Sequence, residues 1–165
     1  MRRVVTGHRN GKSVIVDNVE IAGRGQFGSE MIGVWETDVI PTIPLEERNY
    51  KKQPDFHFPK PGETYINIWS CPPDKEFLEK TSKNGVDVVE RHRRQFGDDW
   101  PMHTTDTVDI DIILSGELWM ELDDGLEVHL EPGDCVVQNG TRHAWHNHGT
   151  DTCIMASFLI GAKRT

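Results

Sequence analysis

MHTTDTVDIDIILSGELWMELDDGLEVHLEPGDCVVQNGTRHAWHNHGTDTCIMASFLI, residues 102–160, decides the fold of this chain. Short apolar-alternating runs follow one another with turn signals between them. Val108 to Leu114 reads as a strand and Ser115-Gly116 as its turn. Glu117 to Leu122, then Asp123-Asp124-Gly125, Leu126 to Leu130, Pro132-Gly133 and Cys135 to Gln138 continue the pattern, and Cys153 to Ile160 closes it. Even spacing of this kind is the mark of an antiparallel sandwich or barrel.

In a strand, successive side chains point to opposite faces. His103 and Thr105 therefore share a face. Asp109, Asp111 and Ile113 share one, opposite Ile110, Ile112 and Leu114. If the aspartate face lines the interior, the protein encloses two carboxylates beside imidazoles, and the Ile/Leu face packs on N-terminal strands or a second subunit. If the isoleucine face lines it, the aspartates are solvated.

Upstream the signals are sparser. Lys12 to Asp17 follows a turn at Asn10-Gly11 and reads as a strand, as does Met31 to Thr37. From Val39 to Gly62, five prolines (Pro41, Pro44, Pro54, Pro59, Pro61) among many charges obstruct helices and central strands, so this stretch is expected to be a long surface arm. Thr64 to Trp69 alternates as a strand, with Tyr65, Asn67 and Trp69 on one side, and Cys71-Pro72-Pro73 stops it. Asp74 to Phe96 has helix formers, an N-capping Asp74 and an interruption at Asn84-Gly85, predicting short helices.

The 165 residues suffice for one domain with its own core. A net charge of −9 repels phosphate backbones and anionic surfaces, so nucleic acid is not an expected partner. The local run Arg91, His92, Arg93, Arg94 reads as a solvated helix face. Cys71, Cys135 and Cys153 are odd in number and lack CxxC spacing, which suggests neither disulfides nor a thiolate zinc site and fits a cytoplasmic location. No apolar run approaches the roughly 18 residues of a membrane span, and the N-terminus lacks a signal-peptide core.

Two segments carry a family resemblance: PMHTTDTVDIDIILSG, residues 101–116, and EPGDCVVQNGTRHAWHN, residues 131–147. Together they resemble the paired motifs of the cupin superfamily. In that family the first motif has two histidines one residue apart, a glutamate and a glycine; the second runs from a glycine through a turn to a third histidine and an asparagine. Matched by position, His103 is the first histidine, Asp109 stands for the glutamate, Gly116 closes the first motif, Gly133 opens the second, and His143 with Asn147 ends it. Thr105 replaces the second histidine, and Asn139-Gly140 replaces the usual proline-containing turn. With RRVVTG and GKSVIV near its start, the chain looks like single-barrel cupins with an extended N-terminus found in small-molecule pathways. The resemblance implies an all-β, double-stranded β-helix, the jelly-roll barrel. Residues 1–165 would form one cupin domain, with an N-terminal extension and first barrel strands over 1–100 and the motif core over 101–160.

The chemistry expected of that barrel has alternatives. Two histidines and a carboxylate, His103, Asp109 and His143, suit a divalent iron, zinc, manganese or nickel ion, and such a set with open positions serves non-haem iron oxygenases. Without metal, Asp109 and Asp111 would shift one another's pKa and act as acid and base with the histidines. Thr105, Trp145, Tyr65 and Trp69 are further expected pocket residues, whereas His129, His146 and His148 read as surface residues. The expected function is a lyase or isomerase of a small molecule by dehydration, isomerisation or decarboxylation. An iron dioxygenase acting on a phenolic or enolic substrate is the alternative, and a non-catalytic ligand-binding cupin the third. A homodimer is expected.

Overall fold

The computed structural model describes every residue except 27, 28, 39, 42, 44–52, 84–89, 91, 92, 95–98 and 100. Eleven strands and one helix are described: β1 (Arg2–Arg9), β2 (Lys12–Glu20), β3 (Arg24–Gln26), β4 (Ser29–Thr37), β5 (Thr64–Cys71), α1 (Asp74–Lys83), β6 (Thr107–Ser115), β7 (Leu118–Glu121), β8 (Glu127–Leu130), β9 (Cys135–Asn139), β10 (Ala144–His146) and β11 (Cys153–Gly161). They form an antiparallel six-stranded sheet ordered β3-β4-β5-β11-β6-β9, a three-stranded sheet ordered β10-β7-β8, and the separate hairpin β1-β2. This is the double-stranded β-helix.

The expected strands are all present, most of them longer than anticipated. Strands β1, β3 and β10 were not expected, β10 because three residues are too few to show a period. The hairpin turns at Asn10-Gly11, both with positive φ (52° and 74°), the geometry Asn-Gly favours in a two-residue turn. It does not extend a barrel sheet, as expected of the N-terminal strands, but is attached through Arg3. That guanidinium is buried, bonds Asp17 at 2.8 Å and donates to the Val34 carbonyl of β4 at 3.3 Å.

Apolar side chains between the two sheets make the core: Ile113, Leu118, Met120, Leu130, Cys153 and Met155 are buried together. The strand alternation is resolved in favour of the aspartates. Asp109, Asp111 and Ile113 face inward and are buried, while Ile112 and Leu114 are exposed on the opposite side. The cross-strand row Ile66, Phe158, Ile110 and Val137 runs along that outer face. Strand β6 is joined to the motif loop by Gly116, whose φ is +74° and whose missing Cβ would lie 2.8 Å from Cys153 Cα.

Of the proline-rich stretch, 44–52 lies outside the described residues. Residues 53–61 form neither helix nor strand, as the prolines require, yet Pro54 and Pro59 are buried. Gly33 of β4 makes room for this segment, since a Cβ there would lie 2.2 Å from the Pro54 carbonyl oxygen. Most of the expected second helix, 84–96, also lies outside the described residues. Asp74 opens α1, and its carboxylate accepts the Asn147 N–H (3.0 Å). Among the described residues, no helix is long and apolar enough to cross a membrane.

Candidate active site in the barrel

The interior of the barrel holds a cavity of about 450 Å³. One end is polar, with His103, Thr105, Asp109, Asp111, His143 and Ser157. Elsewhere the lining is largely aromatic, from Phe56 and Phe58 of the proline-rich stretch, Trp69 of β5, Phe77 of α1 and Trp145 of β10. The expected pocket residues Thr105, Trp69 and Trp145 are thus in place. Tyr65 is not among the lining residues: it is fully buried and packs edge-on against Phe56, which faces the cavity in its stead. The signal for Phe56 and Phe58 was masked by the prolines around them, which made the segment read as solvated.

The two motif histidines are brought together by the backbone. Each donates its N–H to the other's carbonyl, at 2.8 and 2.9 Å, and the rings lie 4.4 Å apart. His103 Nδ1 sits 2.9 Å from the Pro101 carbonyl, and His143 Nδ1 3.0 Å from that of Thr141. A carbonyl only accepts, so the His103 ring carries its proton on Nδ1, whereas His143 Nδ1 also lies 2.5 Å from the Gln138 amide nitrogen, a donor. Gln138 secures the loop behind His143, accepting from Gly140 N (2.5 Å) and donating to the Thr141 carbonyl (2.8 Å). Burial lowers the pKa of both histidines. That of His143, further depressed by the neighbouring His103, falls to about 4. At neutral pH both are uncharged.

The carboxyls shift the other way. Burial raises Asp109 to about 6 against the opposing hydrogen bond from Thr107. Asp111 rises to about 7, again chiefly by burial and then by the charge of Asp109, against a hydrogen bond from Ser157. Ser157 Oγ donates to Asp111 Oδ1 at 2.5 Å and accepts from Trp69 Nε1 at 2.9 Å, so a chain of hydrogen bonds orients Asp111. Ser157 was missed in the sequence, although it alternates with Cys153, Met155 and Leu159 on the inward face of β11. Asn147, the last motif residue, is a stitch instead: its Nδ2 donates to the carbonyls of Cys71 (2.7 Å) and Asp151 (2.9 Å).

Asp109 Oδ1 and Asn67 Oδ1 are buried without a hydrogen-bond partner. Such atoms take a donor or cation from water or from a ligand. The donor set for a metal is nevertheless incomplete: Thr105 stands where a histidine ligand would be, and His103, Asp109 and His143 are not drawn into one cluster. Among the described residues, the ligand atoms that lie within 4.8 Å of one another belong to Glu121, Glu127 and His146. His146, expected at the surface, is mostly buried, its side chain 19% exposed.

No family model matches the chain. Among curated proteins, the chain is 34% identical over 84 residues to "Phomopsin biosynthesis cluster protein C′" of Diaporthe leptostromiformis, covering 51% of this chain and 41% of that protein. It is 42% identical over 45 residues to "Oryzines biosynthesis cluster protein J" of Aspergillus oryzae, covering 27% and 25%. The chain therefore matches less than half the length of these relatives. Among solved structures, a putative ethanolamine utilization protein Q of Salmonella typhimurium superposes with a TM-score of 0.46 at 11% identity, over 99% of this chain and 98% of that one. An RmlC-like cupin of Methanocaldococcus jannaschii gives 0.41 at 16% identity, over 59% and 70%. The strand order and the inward motif residues carry the fold assignment without help from these distant superpositions.

Proposed function

We propose that this chain, a single-barrel member of the cupin superfamily, is a lyase or isomerase that moves protons on a small organic molecule with an apolar, ring-sized body. One observation carries the reading: two buried carboxyls, Asp109 and Asp111, line one pocket with two imidazoles, and burial pushes the carboxyls up toward neutrality and holds the imidazoles uncharged. Neighbouring carboxyls in such a site can serve as base and acid.

At neutral pH the Asp109 carboxylate is the base. It takes a proton from a carbon beside an electron-withdrawing group, while the Asp111 carboxyl gives its proton to the oxygen that leaves or gains charge. Loss of a hydroxyl in this way releases water and leaves a double bond; return of the first proton to a different carbon is isomerisation. The imidazoles of His103 and His143 hydrogen-bond substrate hydroxyls, and Asn67 Oδ1 accepts from another donor. The aromatic walls hold the apolar body by area and stacking. The partial likeness to biosynthesis-cluster proteins supports a step in making a small natural product as the setting.

The test is turnover of a panel of hydroxylated or enolisable aromatic compounds, followed by mass spectrometry. Products differing by the mass of water, or isomeric with the substrate, support the reading, and tight binding with no turnover favours the non-catalytic alternative. The iron dioxygenase reading draws support from the unpartnered Asp109 Oδ1 alone. Oxygen uptake dependent on added ferrous iron would establish it and displace proton transfer.

The homodimer enters here as well. Strands β5, β11, β6 and β9 put no charged residue on their outer face, in a chain of net charge −9, so a second copy can meet this face without like-charge contact. Ile112, Leu114, Val137, Phe158 and Ile160 are its exposed apolar residues. Light scattering of wild type and Phe158→Glu checks this: a dimer converted to monomer is expected.

A further inference from the structure

The outer side of the three-stranded sheet carries a second histidine cluster that the barrel chemistry does not use. Strand pairing sets Ala144, Glu121 and Glu127 in one cross-strand row and His146, Trp119 and His129 in the next row on that face. His146 Nε2 lies 2.8 Å from Glu121 Oε2, and with Glu127 these side chains bring ligand atoms within 4.8 Å of one another. His148 stacks on His146, ring centroids 5.4 Å apart and planes 10° from parallel, and its Nε2 lies 3.4 Å from Glu127 Oε1. The opposite ring nitrogens face a single carboxylate: Asp74 Oδ2 is 3.2 Å from His148 Nδ1 and 3.9 Å from His146 Nδ1.

A neutral imidazole has one N–H and one lone pair. His148 meets a carboxylate oxygen at both nitrogens, so when singly protonated it turns its lone pair toward an anion, while His146 meets Glu121 at Nε2. A cation between the Nε2 atoms and the two glutamates removes that conflict. It leaves His148 Nδ1 within 3.2 Å of Asp74 Oδ2, as in the carboxylate–histidine–metal arrangement that orients a ligating imidazole.

We propose that Glu121, Glu127 and His146 form a binding site for a first-row divalent metal, zinc by its mixed nitrogen and oxygen donors, with His148 beside Glu127 drawn in as a fourth donor on binding and Asp74 positioning the imidazoles from behind. The site is independent of the barrel histidines. It joins β7, β8 and the loop after β10 to the first turn of α1, and because Asp74 and His146 also line the cavity, the metal clamps one cavity wall.

The test is zinc titration of the full chain carrying His103→Ala and His143→Ala, by calorimetry above neutral pH, with native mass spectrometry to count ions. One equivalent of zinc is expected to remain. Adding Glu121→Gln and Glu127→Gln should abolish it, and Asp74→Asn, which keeps an acceptor for Asn147 N–H, should weaken it by about 10–100-fold. Circular dichroism verifies folding, and Glu127→Gln alone, at an exposed position, provides a second variant if the double change disturbs it. Absence of zinc from the histidine-substituted protein, or binding that survives both glutamine substitutions, overturns the proposal; the contacts would then be those of doubly protonated imidazoles.

Discussion

One histidine–carboxylate cluster lies in the barrel interior and a second on the outer face of the three-stranded sheet, and burial makes them chemically different. Inside, His103 and His143 are surrounded by aromatic and apolar walls, so desolvation keeps them neutral and holds Asp109 and Asp111 near their protonation midpoints. Outside, His146 and His148 meet three carboxylates within reach of water. On the proposed readings, similar residue types would transfer protons where the dielectric is low and bind an ion where it is higher.

The strongest attempt to break the comparison is Asp109→Asn. Loss of the base is expected to lower kcat by about 10³-fold, measured on whichever compound turns over, with binding retained. Asp111→Asn should cost roughly 10²-fold and also change the pH profile. In wild type, kcat/KM is expected to fall below about pH 6 as Asp109 is protonated and above about pH 7 as Asp111 ionises, a bell that peaks between. An amide in place of the Asp111 carboxyl removes the alkaline limb; a limb that persists assigns the acid to another group.

The same shift sharpens the contrast through stability. Asp111 has a folded pKa near 7, above its unfolded value, so native protein binds more protons between about pH 4 and 7 and loses stability as pH rises through that window. His143, lowered to about 4, works in the opposite direction, losing stability as pH falls from its unfolded pKa. Asp111→Asn should therefore gain roughly 1–3 kcal/mol above pH 7 in urea melts, with little change near pH 4. The smallest effect belongs outside: Glu127→Gln in metal-free protein should alter stability by less than about 1 kcal/mol, because half-exposed ion pairs contribute little.

The barrel was legible because alternation over β6, β7, β9 and β11 is a local property, whereas the motif histidines lie outside those strands in an isolated bridge and were legible only through the family resemblance. That Asp109 and Asp111 face inward was not decided locally, since either face of β6 can satisfy period two. The partner strands decide it: Asp111 stands opposite Ser157 and Asp109 opposite Gln138, both buried and polar, while Ile110 stands opposite Phe158 and Val137 on the outer face. Tyr65 and Phe56 exchanged their expected places for the same reason, because the segment over Gly33 is positioned by contacts distant in sequence.

By itself, then, the amino-acid order determined most of the strands, their turns and which residues share a face, since these depend on neighbours along the chain. Only the tertiary structure decided which face is dry, which aromatic side chains wall the cavity, and that Asp74 meets His148 at 3.2 Å across 74 residues of chain. Those follow from closure of the two sheets, which buries some polar groups and brings others together, and it is this closure that sets the pKa values on which the chemistry rests.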